Sequence, residues 1–147
     1  MKSLLGNLRL EAEDDVVTSI SYADALDPDG ASELQKQLDE YFLGQRVNFD
    51  LRLAPEGTLF QKQVWEEMQK IPYGETATYA EIAKRIGRPE AWRAVANACG
   101  ANPIVIVIPC HRVVGSHGRL GGYTGGTDRK LWLLELESKV ASRIHRK

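Results

Sequence analysis

Cysteine is scarce in this chain. Cys99 and Cys110 are the only two in 147 residues, they form no CxxC pair, and the three histidines are scattered. A disulfide scaffold and a zinc framework are both excluded as organising devices, and a reducing interior is the expected setting. Long apolar runs are missing too. No stretch approaches the roughly 18 apolar residues of a membrane helix, and Met1 to Leu10 lacks the apolar block of a secretory signal, so a cytoplasmic protein off the membrane is expected. Net charge is close to nil at -1, while 43% hydrophobic and 27% charged residues describe an ordinary globular chain and not a disordered one. A chain of this length buries about two-thirds of its unfolded surface, so its core needs neither metal nor crosslink.

The small total charge hides two unlike halves. Residues 1–55 carry five Lys/Arg against eleven Asp/Glu, whereas residues 56–147 carry fourteen against nine. An acidic part joined to a nucleic-acid-binding part has this pattern, although a modest basic excess also occurs on surfaces that bind nothing.

The hydrophobic period changes at the same place. In residues 1–55, Leu8, Leu10 and Ala12 alternate with Arg9 and Glu11, Val16 to Tyr22 is rich in β-branched residues, and Phe49, Leu51 and Leu53 alternate with polar neighbours; all three read as strands. Leu34, Leu38, Tyr41 and Phe42 recur at helical spacing and stop at Gly44. This is a small sheet with one helix. After a linker at Leu53 to Gly57, Thr58 with Gln61 reads as a capping box for a helix whose apolar face is Phe60, Val64, Trp65 and Met68. Thr78 with Glu81 caps a second, short helix ending at Gly87, and Pro89 takes the first position of a third that runs to Gly100. Two short helices joined by a tight glycine-containing turn fit a helix-turn-helix. On the third helix Trp92, Val95 and Cys99 share a stripe that reads as core; Arg93, Asn97 and Gly100 share the neighbouring one, where little bulk would prevent close approach to a partner or to another helix.

The chemistry-bearing residues follow. Ile104 to Ile108 is an unbroken β-branched apolar run, the pattern of a strand buried on both faces, and it leads into Pro109, Cys110, His111 and Arg112. A cysteine on a rigid support beside a histidine and an arginine has surroundings that favour a thiolate; an inert buried thiol beside a turn histidine has the same sequence. On the last predicted helix Leu133, Leu134, Leu136 and Val140 define the buried face, and Glu137 falls among them. An inward carboxylate needs a partner, and His111 is the candidate: Glu137 would orient an imidazole that takes the Cys110 proton directly or through a water. The glycine-rich segment 118–126 is followed by no GK[ST] and lacks the context of a dinucleotide loop, so it reads as a wall against a flat ligand, with Tyr123 stacking or packing there.

Together, Ile108-Pro109-Cys110-His111-Arg112-Val113-Val114, Ala101-Asn102-Pro103, Gly121-Gly122-Tyr123-Thr124-Gly125-Gly126 and Trp132-Leu133-Leu134 closely resemble the O6-alkylguanine-DNA alkyltransferases, also called methylated-DNA-protein-cysteine methyltransferases. The resemblance covers most of residues 57–138 and extends more loosely to the amino-terminal part. It implies an α+β protein: an amino-terminal α/β domain, 1–55, and a winged helix-turn-helix-like DNA-binding and alkyl-acceptor domain, 56–147. It implies single-turnover DNA repair, in which an O6-alkylated guanine, with O4-alkylthymine a further candidate, is flipped out of duplex DNA and its alkyl group moves to Cys110. His111 and Glu137 would be the activating relay, Tyr79 a proton-transfer partner of the base, and Asn102 a brace for the turn. Arg93 would fill the vacated stack, with Thr78, Ala91, Ala94 and Asn97 as further DNA contacts and Pro109, Val113, Tyr123 and Thr124 forming the substrate pocket. No cofactor, metal, membrane or obligate protein partner is implied, and the protein would act as a monomer.

The sequence departs from the family pattern at Trp92, where many relatives carry a smaller residue; its spacing predicts that it turns inward. Cys99 reads as a packed small residue and not a second acceptor. Two other readings are a non-catalytic sensor of alkylated bases, against which Cys110 itself argues, and a Cys-His hydrolase, which would turn over.

Overall fold

The computed structural model describes residues 1–23 and 32–145. The chain divides into two compact units, Met1–Glu56 with Pro103–Val105, and Gly57–Asn102 with Ile106–Lys147. The fold is α+β.

Among the described residues the first unit holds β1 (Lys2–Ser3), β2 (Gly6–Glu13), β3 (Val16–Ala23), α1 (Ser32–Phe42) and β4 (Arg52–Leu53), with sheet order β1-β2-β3-β4. β2 and β3 pair antiparallel across Asp14 and Asp15, both at positive φ (49° and 66°), which is the backbone of a two-residue hairpin turn whose twist matches the strands. Leu8, Val17 and Ile20 from the sheet and Leu34, Leu38 and Tyr41 from α1 are all buried. Each contributes about 1.5–3 kcal/mol by leaving water. The strand expected at 49–53 is shorter than its alternation suggests: only Arg52 and Leu53 pair, parallel to Val16 and Val17. Just before them the Gln37 side chain of α1 takes the Asp50 backbone, donating to its carbonyl at 3.0 Å and accepting from its N–H at 2.9 Å.

The second unit contains α2 (Leu59–Met68), β5 (Ala77–Thr78), α3 (Tyr79–Arg85), α4 (Trp92–Gly100), β6 (Val113–Val114) and α5 (Thr127–His145). Both capping boxes form, Thr58 with Gln61 and Thr78 with Glu81. α2 and α3 pack on α4, and the Trp65 indole N–H donates to the Ala98 carbonyl at 2.8 Å. Gly87, at φ 79°, follows α3 and turns the chain. Pro89 does not open α4. The helix starts at Trp92 behind Ala91, which supplies no side-chain cap, because the N–H of Ala91 instead closes a turn onto the Arg88 carbonyl at 2.9 Å. Short β5 and β6 pair in parallel, Ala77 with Val113 and Thr78 with Val114. No helix among the described residues is long and apolar enough to cross a membrane.

The run Ile104 to Ile108 is buried as expected for Ile104, Val105, Ile106 and Ile108, but it is not a strand. Ile104 makes an isolated parallel bridge with Ile20, and Ile20 exchanges backbone hydrogen bonds with Pro103 (2.9 Å) and Val105 (3.1 Å). Ile106 then reverses at φ 75°. A β-branched residue there is strained and persists only where its surroundings enforce it. Apolar periodicity reports burial, not a reversal inside the run. Asn102 spans the excursion, its Nδ2 donating to the Ile108 carbonyl at 2.8 Å.

Candidate active site

Cys110 opens a 3₁₀ turn, Cys110–Arg112, instead of ending a strand; its N–H donates to the Ile108 carbonyl at 2.8 Å. The turn directs His111 and Arg112 at one carboxylate. Glu137, on the α5 face with buried Leu133 and Val140, meets His111 Nε2 at 2.7 Å through Oε2. Arg112 holds the same carboxylate in a fork, Nε to Oε1 at 2.7 Å and Nη2 to Oε2 at 3.0 Å, and anchors itself by donating from Nη1 to the Ile71 carbonyl at 2.8 Å. The Gly74 N–H also points at Oε1, at 3.4 Å. Sequence reasoning paired Glu137 with His111 and missed Arg112. The available clue was stoichiometric: a carboxylate with two buried oxygens needs more donors than one imidazole supplies.

The electrostatics follow from this geometry. Burial pushes the Glu137 carboxyl up, but the hydrogen bonds from His111 and Arg112 and the charge of Arg112 outweigh it and hold the group down at about 2. Glu137 is therefore an ionised acceptor, so His111 Nε2 carries the ring proton and Nδ1 presents its lone pair. Nδ1 is buried and has no hydrogen-bond partner among the described residues. Burial also lowers the His111 pKa, against the pull of Glu137, so the ring rests neutral. For Cys110, burial pushes the thiol up to about 11, opposed by a hydrogen bond from Asn102 and by the charge of Lys130. The expectation of an easily ionised sulfur is thus corrected: desolvation exceeds the stabilisation offered to the anion, and the resting group is a thiol.

A cavity of about 430 Å³ has Cys110 in its wall, together with Tyr79, Asn97, Tyr123 and Thr124. The glycine-rich segment closes one side. Gly121, at φ 76°, lies so near Tyr79 that an added Cβ would sit 2.6 Å from the phenol oxygen, and Thr124 Oγ1 donates to the Gly100 carbonyl at 3.0 Å. Pro109 and Val113 are buried outside this lining. Cys99 is packed, with Sγ 3.4 Å from Met68 Sδ, yet it also reaches the cavity wall. Lys130 was not anticipated. Its buried Nζ donates to the Val113 carbonyl at 2.7 Å and the Gly122 carbonyl at 2.9 Å, and lies 5.8 Å from the centre of the Tyr79 ring. Its spacing from Leu133 and Glu137 on the inner face of α5 was the missed clue.

On α4, Arg93, Ala94 and Asn97 are exposed, Ala91 is half-buried at the helix start, and the Thr78 hydroxyl is occupied in capping α3. Trp92 does not turn inward. Val95 and Cys99 are buried, but Trp92 is 45% exposed, since it is the first residue of α4 and the covered stripe has run out; the Arg93 guanidinium lies 5.0 Å from its ring centre.

Residues 59–139 match the family described as 6-O-methylguanine DNA methyltransferase, DNA binding domain. The chain is 57% identical over 105 residues to a methylated-DNA--protein-cysteine methyltransferase of Methanosarcina acetivorans, covering 71% of this chain and 67% of that one. It is 45% identical to the protein of that name from Mycolicibacterium paratuberculosis, over 93% of this chain and 89% of the relative. Among solved structures, Mycobacterium tuberculosis O6-methylguanine methyltransferase superposes with TM-score 0.88 at 44% identity, covering 95% of this chain and 90% of that one. The structure of Mycobacterium tuberculosis OGT in complex with DNA gives 0.90 at 44% identity, with coverages of 95% and 91%. The second unit is thus of the DNA-binding alkyltransferase class. The chain belongs to the methylated-DNA--protein-cysteine methyltransferase family.

Proposed function

We propose that the protein repairs alkylated DNA by moving the alkyl group of an O6-alkylguanine, turned out of the duplex, onto Cys110. The observation that carries this reading is a cysteine in the wall of a cavity, preceding a neutral histidine whose far nitrogen is locked to an ionised carboxylate. An alkyl carbon on the guanine oxygen is a soft electrophile, for which sulfur is the fitting nucleophile. The new bond joins the Cys110 sulfur to that carbon, the carbon–oxygen bond breaks, and the thiol proton is lost as guanine regains one. His111 Nδ1 is the acceptor of the thiol proton across a water, and Glu137 with Arg112 fixes the ring for that step. Tyr79 supplies a proton toward the departing base, and Lys130 and Asn102 hold the turn and the pocket loop around it. Arg93 enters the stack in place of the flipped base, offsetting part of the few kcal/mol that unstacking costs. A thioether has no hydrolytic exit, so one molecule treats one lesion, as a monomer, in the cytoplasm and without a methyl donor.

Intact-protein mass spectrometry with O6-methylguanine duplex tests this. The expected result is one methyl group per molecule, in a stoichiometric burst, on the peptide holding Cys110. Continued turnover, or the label on Cys99, would overturn it.

A further inference from the structure

Trp92 is left without a task by the roles assigned so far, and its setting calls for one. It is the one exposed aromatic side chain among the described residues. Burying an indole is among the larger contributions a single residue makes to a core, yet this one is 45% exposed at the start of α4, with the Arg93 guanidinium 5.0 Å from its ring centre. One helical turn further on, Ala96 and Asn97 line the cavity that holds Cys110. The i to i+4 relation puts Trp92 in line with Ala96 and Arg93 in line with Asn97, one turn before the residues that line that cavity. A flat π surface and a guanidinium side by side match nucleic acid: the cation suits phosphate or a vacated stack, and the ring suits a nucleobase face or a deoxyribose edge.

We propose that Trp92 is a DNA-contacting wedge beside Arg93: when the guanidinium leaves its ring for the duplex, the freed indole packs on the nucleotide flanking the lesion and holds the strand open. This rests on the reading that duplex DNA carries the substrate. In the free protein the ring keeps Arg93 folded back along α4. In the complex the two side chains separate and both are used, which makes Trp92 a positioning residue for base extrusion and not for the sulfur chemistry.

The test compares benzyl transfer from O6-benzylguanine as a free base and within a duplex, using wild type, W92A and W92F, alongside tryptophan emission during titration with lesion-bearing duplex. W92A is expected to lose about tenfold more rate on the duplex than on the free base, as removal of one stacking platform does, and W92F to keep the wild-type ratio within about threefold. Emission of the wild type should be quenched by duplex, and that quenching should be missing in W92F, whose remaining indoles belong to Trp65 and Trp132. A W92A protein with the wild-type ratio, a W92F protein as impaired as W92A, or equal quenching in wild type and W92F would overturn the inference. Wild type that transferred benzyl from neither form would instead overturn the alkyl-transfer reading, and the quenching arm would still decide whether Trp92 meets DNA.

Discussion

Glu137 shows how much one side chain answers for. Its folded pKa, held down near 2, lies below that of an unfolded glutamate, so its contribution to stability is present above about pH 4.5 and is lost as pH falls toward 2. The shift corresponds to about 3 kcal/mol. His111 acts in the same direction: burial lowers its folded pKa, so its contribution is present above the unfolded value of 6.5 and declines below it. Urea unfolding measured across pH should therefore show an acid limb that begins near 6.5 and steepens below 4.5, and Glu137→Gln should remove the steep part. An unchanged limb in that variant would show that the His111–Glu137–Arg112 cluster does not set acid stability. At this scale the His111–Glu137 pairing was legible in the sequence, because a carboxylate on an apolar helix face is conspicuous. The sequence did not reveal Arg112 or Lys130, since both are tied down partly by the carbonyls of Ile71, Val113 and Gly122, and a backbone carbonyl has no letter in the sequence.

Elements were legible where their causes are local. Both capping boxes, the buried positions Val64, Trp65 and Met68 of α2 and Leu133 and Val140 of α5, and the glycines after α1 and α3 depend on residues a few positions apart. The reversal at Ile106, the shortened β4 and the late start of α4 depend on distant partners and were not. Gly74 illustrates a further constraint that only packing exposes: it sits at φ 83°, and an added Cβ would lie 2.6 Å from Cβ of Ala141 on α5. Gly74→Ala should cost about 1–3 kcal/mol from the left-handed backbone and the contact together. In thermal melts, adding Ala141→Gly should recover the contact portion and leave the backbone portion. No loss in the single variant would remove the claim that this turn is tightly seated on α5.

For the molecule as a whole, division into two halves was visible as opposite charge and a change of hydrophobic period. The path between them was not. The segment Pro103–Val105 belongs to the first unit although the residues on either side belong to the second, and Ile20 supplies its backbone partners. A fragment beginning at Gly57 keeps each side chain named in the candidate active site, yet it uncovers Ile104 and Val105 and drops two backbone hydrogen bonds. It should be about 3–5 kcal/mol less stable than the full chain, a difference that melting curves followed by circular dichroism would register. Equal stability would mean that this excursion contributes nothing to holding the fold.

Seclusion of the Cys110 sulfur, which pushes its pKa up, has a meaning if, as proposed, each molecule works only once. Because burial opposes ionisation, the thiol form prevails at rest and little anion is offered to whatever electrophile drifts past. Under the proposed chemistry, stray alkylators and oxidants would meet a dormant group, and the protein would be kept intact, like a flare under its cap, until a damaged base is in place.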